Sequence, residues 1–530
     1  MHEKTSREER VPVLIVGGGL VGLSTALFLA HRGVKALVLE KHEGTSIHPR
    51  ARGFHERTIE LFRSTCAREE IERVGGVPPD LGGGGQLVAL TLAGPVLSWM
   101  PAAPGAHRSD LSPCPHVYLG QDRLEPILLR AAREQQAEVR FRHELKAFTQ
   151  DVKGVTAQVL DRATRETYTV RTDYLVAADG VRSSVREALG IAQRGRGSLG
   201  HNVSTLFHAD LSPVRREHPF GFAVLKHPEA GGVMVATDVK DRWIYATRFD
   251  VSRETPADFT EERWTRLIRL ATGLPELVPT LLGTFPWEAA ERVAERFSSG
   301  RVFLAGDAAH QMPPTGGHGA NTGIQDAANL AWKLAAVLKG QAGPSLLETY
   351  DSERRPVAAA TANQATLLAL RLEKGAAMPE DDGAVSARVI IFGYRYGSDE
   401  PLPRMLTLNG EPGTRAPHVW LSSEEGPVST IDLFGGGFVL LAGDRSWLDA
   451  SEALSKRAGL PLQAHRVDGW QSTYGVGASG ASLIRPDGMV AARWSEASSD
   501  AERMLSAALA AATRTRQAAL PSGVRQESGR

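Results

Sequence analysis

The sequence predicts an α/β protein in which a parallel sheet, a mainly antiparallel sheet and a further α/β unit follow one another along the chain. Three observations predict it. An uninterrupted apolar run within residues 11–19 leads through a helical pattern into a second apolar run at residues 36–40. Residues 196–290 alternate between apolar and polar side chains and are rich in aromatic ones, and strand patterns return after residue 415. Buried parallel strands are apolar throughout. Antiparallel strands with one solvent-exposed face alternate between apolar and polar residues.

Changes in composition along the chain indicate several domains. With 530 residues, the chain is longer than one hydrophobic core usually serves. The predicted organisation is a discontinuous first domain at 1–195 and 291–395, which also holds some strands of the second domain within 85–115, a second domain at 196–290, a linker at 396–414 and a C-terminal domain at 415–515.

The bulk composition excludes several classes of function. Lys+Arg and Asp+Glu are both 61, so no net charge draws the protein to nucleic acid or to an anionic membrane. The polar N-terminus lacks the apolar segment of a signal peptide, and no run approaches a membrane span. The two cysteines, Cys66 and Cys114, lack metal-type spacing, so we expect neither a disulfide nor a metal site. A cytoplasmic protein is predicted.

The first apolar run opens a complete β-α-β unit with G-x-G-x-x-G spacing. Its glycines allow a tight turn and bring the backbone close to a pyrophosphate at the helix N-terminus. Glu40 ends the second strand, 18 residues after Gly22, where it can accept a hydrogen bond from a ribose hydroxyl. An acid at this position favours an unphosphorylated ribose, and hence FAD or NAD. The predicted contacts are Gly17, Gly19, Leu20, Val21, Gly22, Glu40 and Lys41.

Polar residues at three later junctions are further candidates. Arg50 lies in a loop before a helical pattern. The charged side chains around it have two open interpretations, a solvent-exposed face or a binding site. Gln121 stands where a strand end leads into a helix. Asp179 and Gly180 form a turn after the apolar run YLVAA.

The stretch 301–334 combines an apolar strand, a Gly306–Asp307 end and a loop rich in Pro and Gly. Beyond it a helix is predicted to begin near Ala320–Asn321. Ligands of open parallel sheets bind beyond the carboxyl ends of strands, so Asp307 is placed to hold a polyol hydroxyl. The loop leaves bare backbone for a flat ring, whose anionic edge would gain from the helix N-terminus. The alternative is a glycine-rich connection with a helix-capping asparagine.

Aromatic side chains of the second domain allow two interpretations. Phe220, Phe222, Trp243 and Tyr245 are the candidate substrate contacts, but alternating aromatics also belong to sheet cores. His310 and His318 receive no role, because a loop histidine is usually just hydrogen-bonded.

Three motifs in this order resemble the class A flavoprotein monooxygenases of the para-hydroxybenzoate hydroxylase type. They are GGGLVG with Glu40, the Asp179–Gly180 turn and Gly306–Asp307. Other stretches are similar to the polyketide and phenol hydroxylase branch: HPRARGFHERTIELF, GGHGANTGIQDAANLAWKLAAVLKG, YDSERRPVA, PGTRAPHVWL and DLFGGGFVLL.

The resemblance implies a fold and a set of cofactor contacts. The first domain would be a Rossmann-like FAD-binding domain of the glutathione-reductase type, carrying an inserted substrate domain, and residues 415–515 would be thioredoxin-like. With no cysteine, that last domain cannot perform dithiol chemistry. Arg50 and Gln121 would contact FAD near its pyrophosphate and ribityl, Asp179 both FAD and NAD(P)H, and Asp307 the ribityl. The contacts implied after the βαβ unit are Arg50, Gln121, Asp179, Gly180, Gly306, Asp307, Pro314, Gly317, Gly319, Ala320 and Asn321.

The resemblance also implies a reaction. NADPH or NADH would act as a transient reductant, since the GGGG at 82–85 and the GGGF at 435–438 lack the helix and acid of a second nucleotide site. With O₂ as co-substrate, a C4a-(hydro)peroxyflavin would hydroxylate an aromatic, polycyclic polyketide-type substrate in antibiotic biosynthesis.

The alternatives are Baeyer–Villiger insertion or an oxidative decarboxylation by the same flavin, and a non-catalytic flavoprotein or NAD-binding assembly module. We expect a monomer or homodimer that binds a small aromatic molecule and neither nucleic acid nor membrane. No residue is identified as a catalytic base.

Overall fold

The computed structural model describes residues 8–76, 85–101, 110–215, 217–374, 382–422, 426–458 and 461–515. Most of the GGGG stretch at 82–85, and parts of the predicted 85–115, 291–395 and 415–515 segments, lie outside the described residues.

The described strands have the following bounds: β1 Glu8–Val16, β2 Ala36–Glu40, β3 Gly53–Phe54, β4 Gln86–Ala89, β5 Val96–Met100, β6 Val117–Tyr118, β7 Glu138–Phe141, β8 His143–Asp151, β9 Gly154–Asp161, β10 Thr167–Ala177, β11 Gln193–His208, β12 Phe222–Leu225, β13 Gly232–Ala236, β14 Arg242–Arg248, β15 Thr280–Ala294, β16 Ser298–Ser299, β17 Val302–Leu304, β18 His310–Gln311, β19 Trp420–Leu421, β20 Val428–Ser429, β21 Phe438–Ala442, β22 Leu462–Arg466, β23 Ala481–Ile484 and β24 Val490–Trp494.

The described α-helices are α1 Leu20–His31, α2 Glu56–Phe62, α3 Arg68–Val74, α4 Gln121–Glu134, α5 Ser184–Ala188, α6 Glu261–Thr272, α7 His318–Leu338, α8 Thr349–Lys374, α9 Ala387–Phe392, α10 Arg445–Ala458 and α11 Ala501–Thr513. Two compact units contain them. The first comprises residues 1–331 and 350–406, and the second 332–349 and 407–530. The predicted domain boundaries stay predictions.

A parallel sheet forms the centre of the first unit, as predicted. Its parallel strands run in the order β17, β10, β1, β2, β7, and β16, β9 and β8 extend it antiparallel. The side chains of β2 and of the second half of β1 are buried, which explains their unbroken apolar runs. Because the strands are parallel, the chain segments that follow β1, β2, β10 and β17 leave the sheet at the same edge.

A second, eight-stranded sheet belongs to the same unit. Its order is β18, β15, β11, β14, β13, β12, β4, β5, and all neighbours are antiparallel except β12 with β4. One face packs on α6 and forms an apolar core around Trp264 and Ile268. The alternation of residues 196–290 therefore has the predicted cause, one buried face per strand.

The C-terminal unit contains a four-stranded sheet in the order β22, β21, β23, β24. β21 pairs parallel with β22 and antiparallel with β23, and β23 pairs antiparallel with β24. Helices α10 and α11 supply its core, in which Trp447 stacks on Trp494 with ring centroids 4.7 Å apart. This arrangement confirms the thioredoxin-like α/β prediction.

No described helix is long and apolar enough to cross a membrane. Within the part of the chain that the structure describes, no group of three or more His, Cys, Asp or Glu side chains could hold a metal ion.

Candidate functional site

The turn after β1 can be built only with glycine. Gly17 has a φ of +106°, and a Cβ there would lie 2.2 Å from the carbonyl oxygen of Ala178. A Cβ on Gly22 would lie 1.9 Å from the carbonyl oxygen of Gly17. The turn, the first residues of α1 and the Ala178–Asp179 segment therefore touch through their backbones. Gly19 is the N-cap of α1 and supplies no side-chain cap, so first-turn N–H groups other than that of Leu20 stay available to a ligand.

Glu40 lies where the sequence predicts it, at the end of β2 beside this turn. Its Oε2 accepts a hydrogen bond of 2.7 Å from the Gly18 N–H, and its Oε1 accepts one of 2.9 Å from the His42 N–H. The carboxylate thus holds the glycine turn, and its contact with a ribose stays a prediction. Lys41 follows it with an exposed side chain.

A second acid near α1 escapes prediction from the sequence. Glu125 of α4 is buried, and its carboxylate accepts hydrogen bonds from the Ser46 N–H at 2.6 Å and from Gln121 Nε2 at 2.7 Å. The Leu20 N–H in the first turn of α1 also donates to it. Burial raises the pKa of Glu125 above its ordinary value, against these bonds. The only sign of this burial in the sequence is that the acid shares a helical face with Leu128.

Asp307, Arg50 and Gln121 gather at the same edge. The Asp307 side chain is exposed to solvent although protein surrounds it, so it faces a cleft. Burial raises the pKa of Asp307, while His310 and Arg50 act to lower it, which places the Arg50 charge near this carboxyl. The Gln121 N–H donates to the Ala51 carbonyl at 2.8 Å and joins the Arg50 loop to α4. The tertiary structure therefore brings together three candidates that are far apart in sequence.

Gly306 approaches α1 closely. It has a φ of +60°, and a Cβ on it would lie 2.6 Å from Val21 Cγ2. The same Val21 methyl would meet a Cβ on Gly323 at 2.6 Å. The predicted contact Val21 thus packs the Gly–Asp turn against the helix, which is a structural role.

Asp179 follows β10 at the same edge, and Gly180 after it has a φ of +83°. Asp179 Oδ2 accepts hydrogen bonds from the Val185 N–H at 3.3 Å and the Ser184 hydroxyl at 3.4 Å. Its Oδ1 is buried and has no partner among the described residues. Burial raises the pKa of this carboxyl.

The loop before α7 exposes backbone, as predicted. Gly316 and Gly317 have φ values of +80° and +69°, and both are exposed, as is Pro314. Helix α7 begins at His318, slightly before the expected Ala320–Asn321 start, and Gly319 and Ala320 are partly exposed in its first turn.

Asn321 is neither a helix cap nor accessible. Its Nδ2 donates to the carbonyls of Gly53 at 3.0 Å and Gly317 at 2.7 Å, and its Oδ1 accepts from the His55 N–H at 2.9 Å. The side chain fixes the loop on β3, because its hydrogen-bonding groups are occupied within the protein. The side-chain amide of Asn321 therefore holds the loop, and the placement of Asn321 along a flavin stays a prediction.

A fully buried ion network underlies the Gly–Asp turn and was missed from the sequence. Asp326 accepts hydrogen bonds from His310 Nε2 at 2.7 Å, Arg354 Nε at 2.8 Å and the Gly306 N–H at 3.2 Å. Burial alone would raise the pKa of Asp326, but Arg354 and His310 hold it below the ordinary value. Only the amphipathic position of Asp326 in α7 hinted at burial.

Three of the four candidate substrate contacts lie on the wrong face of the second sheet. Phe220, Trp243 and Tyr245 are at most 2% exposed and belong to the core packed on α6. Tyr245 donates its hydroxyl to the Ala230 carbonyl at 2.7 Å, and Trp243 Nε1 donates to the Ala209 carbonyl at 3.1 Å. Their prediction as substrate contacts is wrong, because no ligand can reach them. They are core residues.

The opposite face of the sheet carries the fourth candidate, Phe222, and is partly exposed. Opposing residues in the register share a face, and they form two rows. The rows are Leu206, Ile244, Val235 and Phe222, and Phe285, Ser204, Ala246, Val233 and Val224. We call these residues the apolar face. His48, from the loop after β2, contacts Phe285 with ring centroids 3.9 Å apart, so the apolar face is turned toward that loop.

These residues fit an FAD molecule. The glycine turn and open α1 terminus suit a pyrophosphate, and Glu40 suits a ribose. The accessible Asp307 suits a ribityl hydroxyl, and the exposed Gly316–Gly317 backbone suits a flat ring. A Cβ at Gly17 or Gly22 would destroy the cradle.

Comparison with known proteins gives two family matches. The FAD binding domain family matches residues 10–365, and the C-terminal domain family of aromatic-ring hydroxylases matches residues 409–513.

Several curated proteins are similar over almost their whole length. Tetracenomycin A2 monooxygenase-dioxygenase of Streptomyces glaucescens is 43% identical, over 94% of this chain and 96% of that protein. Aklavinone 12-hydroxylase RdmE of Streptomyces purpurascens is 41% identical, over 95% of this chain and 98% of that protein.

Solved structures are similar as well. A ternary complex of aklavinone-11 hydroxylase with FAD and aklavinone has a TM-score of 0.89 and 40% identity, over 96% of this chain and all of that chain. RebC, soaked with chromopyrrolic acid and holding 7-carboxy-K252c, has a TM-score of 0.82 and 33% identity, over 95% of this chain and all of that chain.

Proposed function

The chain belongs to the FAD-dependent aromatic-ring hydroxylases, and from this premise we propose that it hydroxylates a polycyclic aromatic polyketide with NAD(P)H and O₂. The observation that carries the proposal is the cleft at the carboxyl edge of the parallel sheet. There Glu40, Asp179 and Asp307 surround a turn that only glycine can form, and the partly exposed apolar face is turned toward the neighbouring loop of His48.

Each part of the cleft has a task in holding FAD. The Gly17–Gly22 turn and the α1 N–H groups bind the pyrophosphate, and Arg50 adds positive charge beside it. Asp307 orients the ribityl chain, and the Pro314–Gly319 backbone supports the ring, with the positive end of α7 near its anionic edge. Bound FAD supplies the redox chemistry, in which NAD(P)H provides the electrons and O₂ the inserted oxygen atom.

The apolar face excludes water from the substrate and orients it. A flat, fused-ring molecule is complementary to a sheet surface built from Val, Ile and Phe side chains. Tetracenomycin and aklavinone, which appear in the names of the relatives, indicate polycyclic aromatic substrates of this kind.

A second outcome of the same chemistry is Baeyer–Villiger insertion or oxidative decarboxylation. The similarity to RebC, whose structures hold 7-carboxy-K252c, is the observation that favours it. We place the enzyme in the cytoplasm, as a monomer or homodimer that takes either NADPH or NADH.

The test uses purified protein loaded with FAD. With aklavinone as the first substrate, NAD(P)H consumption should require O₂ and rise on addition of the aromatic compound, and mass spectrometry should find one ¹⁸O atom in the product under ¹⁸O₂. A product that has lost CO₂, or one whose single ¹⁸O lies in a new ester rather than in a new phenol, would favour the second outcome. A protein that binds FAD but oxidises NAD(P)H at the same rate with and without a panel of polycyclic phenols would contradict both.

A further inference from the structure

A buried histidine beside the apolar face lacks hydrogen-bond partners. Neither ring nitrogen of His48 has a partner among the described residues, and both are closed off from solvent. The residue is 6% exposed. Leaving a buried polar atom without a hydrogen-bond partner destabilises a fold, so such atoms are uncommon unless a ligand satisfies them.

The position of His48 indicates which ligand would satisfy its ring nitrogens. Its ring meets the ring of Phe285 edge-on, at an angle of 69°. Phe285 stands in the same row as Val233 and Val224, and all three are partly exposed. His48 therefore meets the apolar face at its β15 end, through the ring of Phe285.

The surroundings of His48 determine the protonation state of its imidazole. Burial first, and then the charges of Arg50, Arg52 and Arg242, lower the pKa of His48 to about 4. Arg242 is itself paired with Asp122 at 2.8 Å. The imidazole is neutral at pH 7 and has an N–H to donate, in a positive potential that favours an anionic acceptor.

We propose that His48 donates its N–H to the ionised phenolic oxygen of the aromatic substrate, with Phe285 as the cover that moves aside. This inference rests on the proposed function and adds the group that recognises the substrate's oxygen. The phenolic proton goes to the solvent and His48 stays neutral. Ionisation makes the ring more electron-rich, which favours the transfer of an electrophilic oxygen atom to it.

The experiment compares two probes on the FAD-loaded enzyme at pH 7. 2-Hydroxyanthraquinone can ionise, and its ionised form absorbs at longer wavelength, whereas 2-methoxyanthraquinone cannot. The unchanged enzyme should prefer the hydroxyl probe and shift its bound spectrum toward the ionised form. His48→Phe keeps an aromatic ring against Phe285 but removes the N–H. It should reduce the preference about tenfold and abolish the spectral shift, and His48→Gln, which keeps an N–H donor, should restore part of both.

A matched control and a second variant make the result decisive. His465 in β22 of the C-terminal unit is half-buried, and its Nε2 likewise has no partner among the described residues. His465→Phe should change neither the preference nor the spectrum. Phe285→Ala, which uncovers His48 without altering it, should strengthen binding of the hydroxyl probe over the methoxy probe, and it carries the test if His48→Phe does not fold.

Three results would overturn the proposal. They are an unchanged probe preference in His48→Phe, no gain in Phe285→Ala, or a loss of FAD affinity in His48→Phe with the preference intact, which would make the cofactor the partner of His48. These results leave the proposed function standing, because it is judged separately by substrate-stimulated, O₂-dependent NAD(P)H oxidation.

Discussion

At the scale of single residues, the cleft uses two carboxylates in different ways. Glu40 shapes the protein as well as the binding surface, because it accepts hydrogen bonds from the backbone of Gly18 and His42. Asp307 faces the cleft, and its pKa is raised by burial. Removing Glu40 should therefore disturb both the turn and the ligand, whereas removing Asp307 should act mainly on the ligand.

For Asp307→Ala we expect a protein that purifies with little flavin. A lost hydrogen bond to a charged group costs about 1.5–3 kcal/mol, a factor of roughly ten or more in FAD affinity. Titration of the apoprotein with FAD, followed by flavin fluorescence, measures it. Asp161→Ala, at the end of β9 before an exposed turn, is the control. Normal flavin content in Asp307→Ala would remove the ribityl role.

For Glu40→Ala we expect FAD affinity to fall by about 1–3 kcal/mol, from the loss of the ribose contact and of the bond to Gly18. Glu43→Ala, three residues later and exposed, should leave affinity unchanged. Equal FAD affinities in the two variants would show that the acid of the second strand has no ligand role.

At the scale of elements, the site is a set of strand ends and helix starts held by close backbone contacts. The turn after β1, the first turn of α1 and the Gly306 turn touch one another where a Cβ would collide. Asn321 and Asp326, both on α7, tie its start to β3 and to Gly306. Close packing and buried hydrogen bonds therefore fix the positions of these turns relative to one another.

For Gly22→Ala we expect loss of FAD binding and a lower Tm, because the new Cβ would lie 1.9 Å from the Gly17 carbonyl oxygen. Gly44→Ala is the matched control, since a Cβ there meets nothing within 4 Å. Thermal unfolding and flavin content of both variants test this. A Gly22→Ala protein with normal flavin would mean that the turn adapts.

At the scale of the whole molecule, the first unit keeps several histidines neutral inside it. Burial lowers the pKa of His318 to about 4, and the same effect holds His55 well below its ordinary value. The unfolded chain takes up protons on these groups below about pH 6.5, while the folded protein does not. Stability is therefore fully present above that pH and falls as the pH drops toward 4.

For His318→Gln we expect a smaller loss of stability on acidification. By linkage, one such histidine costs about 2 kcal/mol between pH 7 and pH 5. Urea unfolding of the parent and the variant at both pH values measures the difference. His227→Gln, at the turn between β12 and β13, is the control. Equal acid sensitivity in the parent and in His318→Gln would show that His318 is protonated in the folded state.

How much of the site was predictable depends on how each residue acts. Local rules of turns and strand ends predict the positions of Gly17, Gly22, Glu40 and Asp307, and the structure has all four at the same edge of the parallel sheet. Glu125, Asp326 and His48 could not be found, because their environment is made by segments far away in the chain. The sequence predicts the wrong role for Phe220, Trp243 and Tyr245. Alternation shows that a strand has two different faces, but it does not show which of the two packs on α6.

The amino-acid sequence by itself determined the α/β class, the nucleotide-binding turn and the family, because these depend on local periodicity and on glycines whose backbone geometry no other residue can adopt. The tertiary structure alone decided which face of the second sheet is turned toward the loop after β2, which acids are buried, and that His48 contacts Phe285. Burial and charge depend on what packs around a side chain, and those neighbours come from β14, β15 and the loop after β2 together.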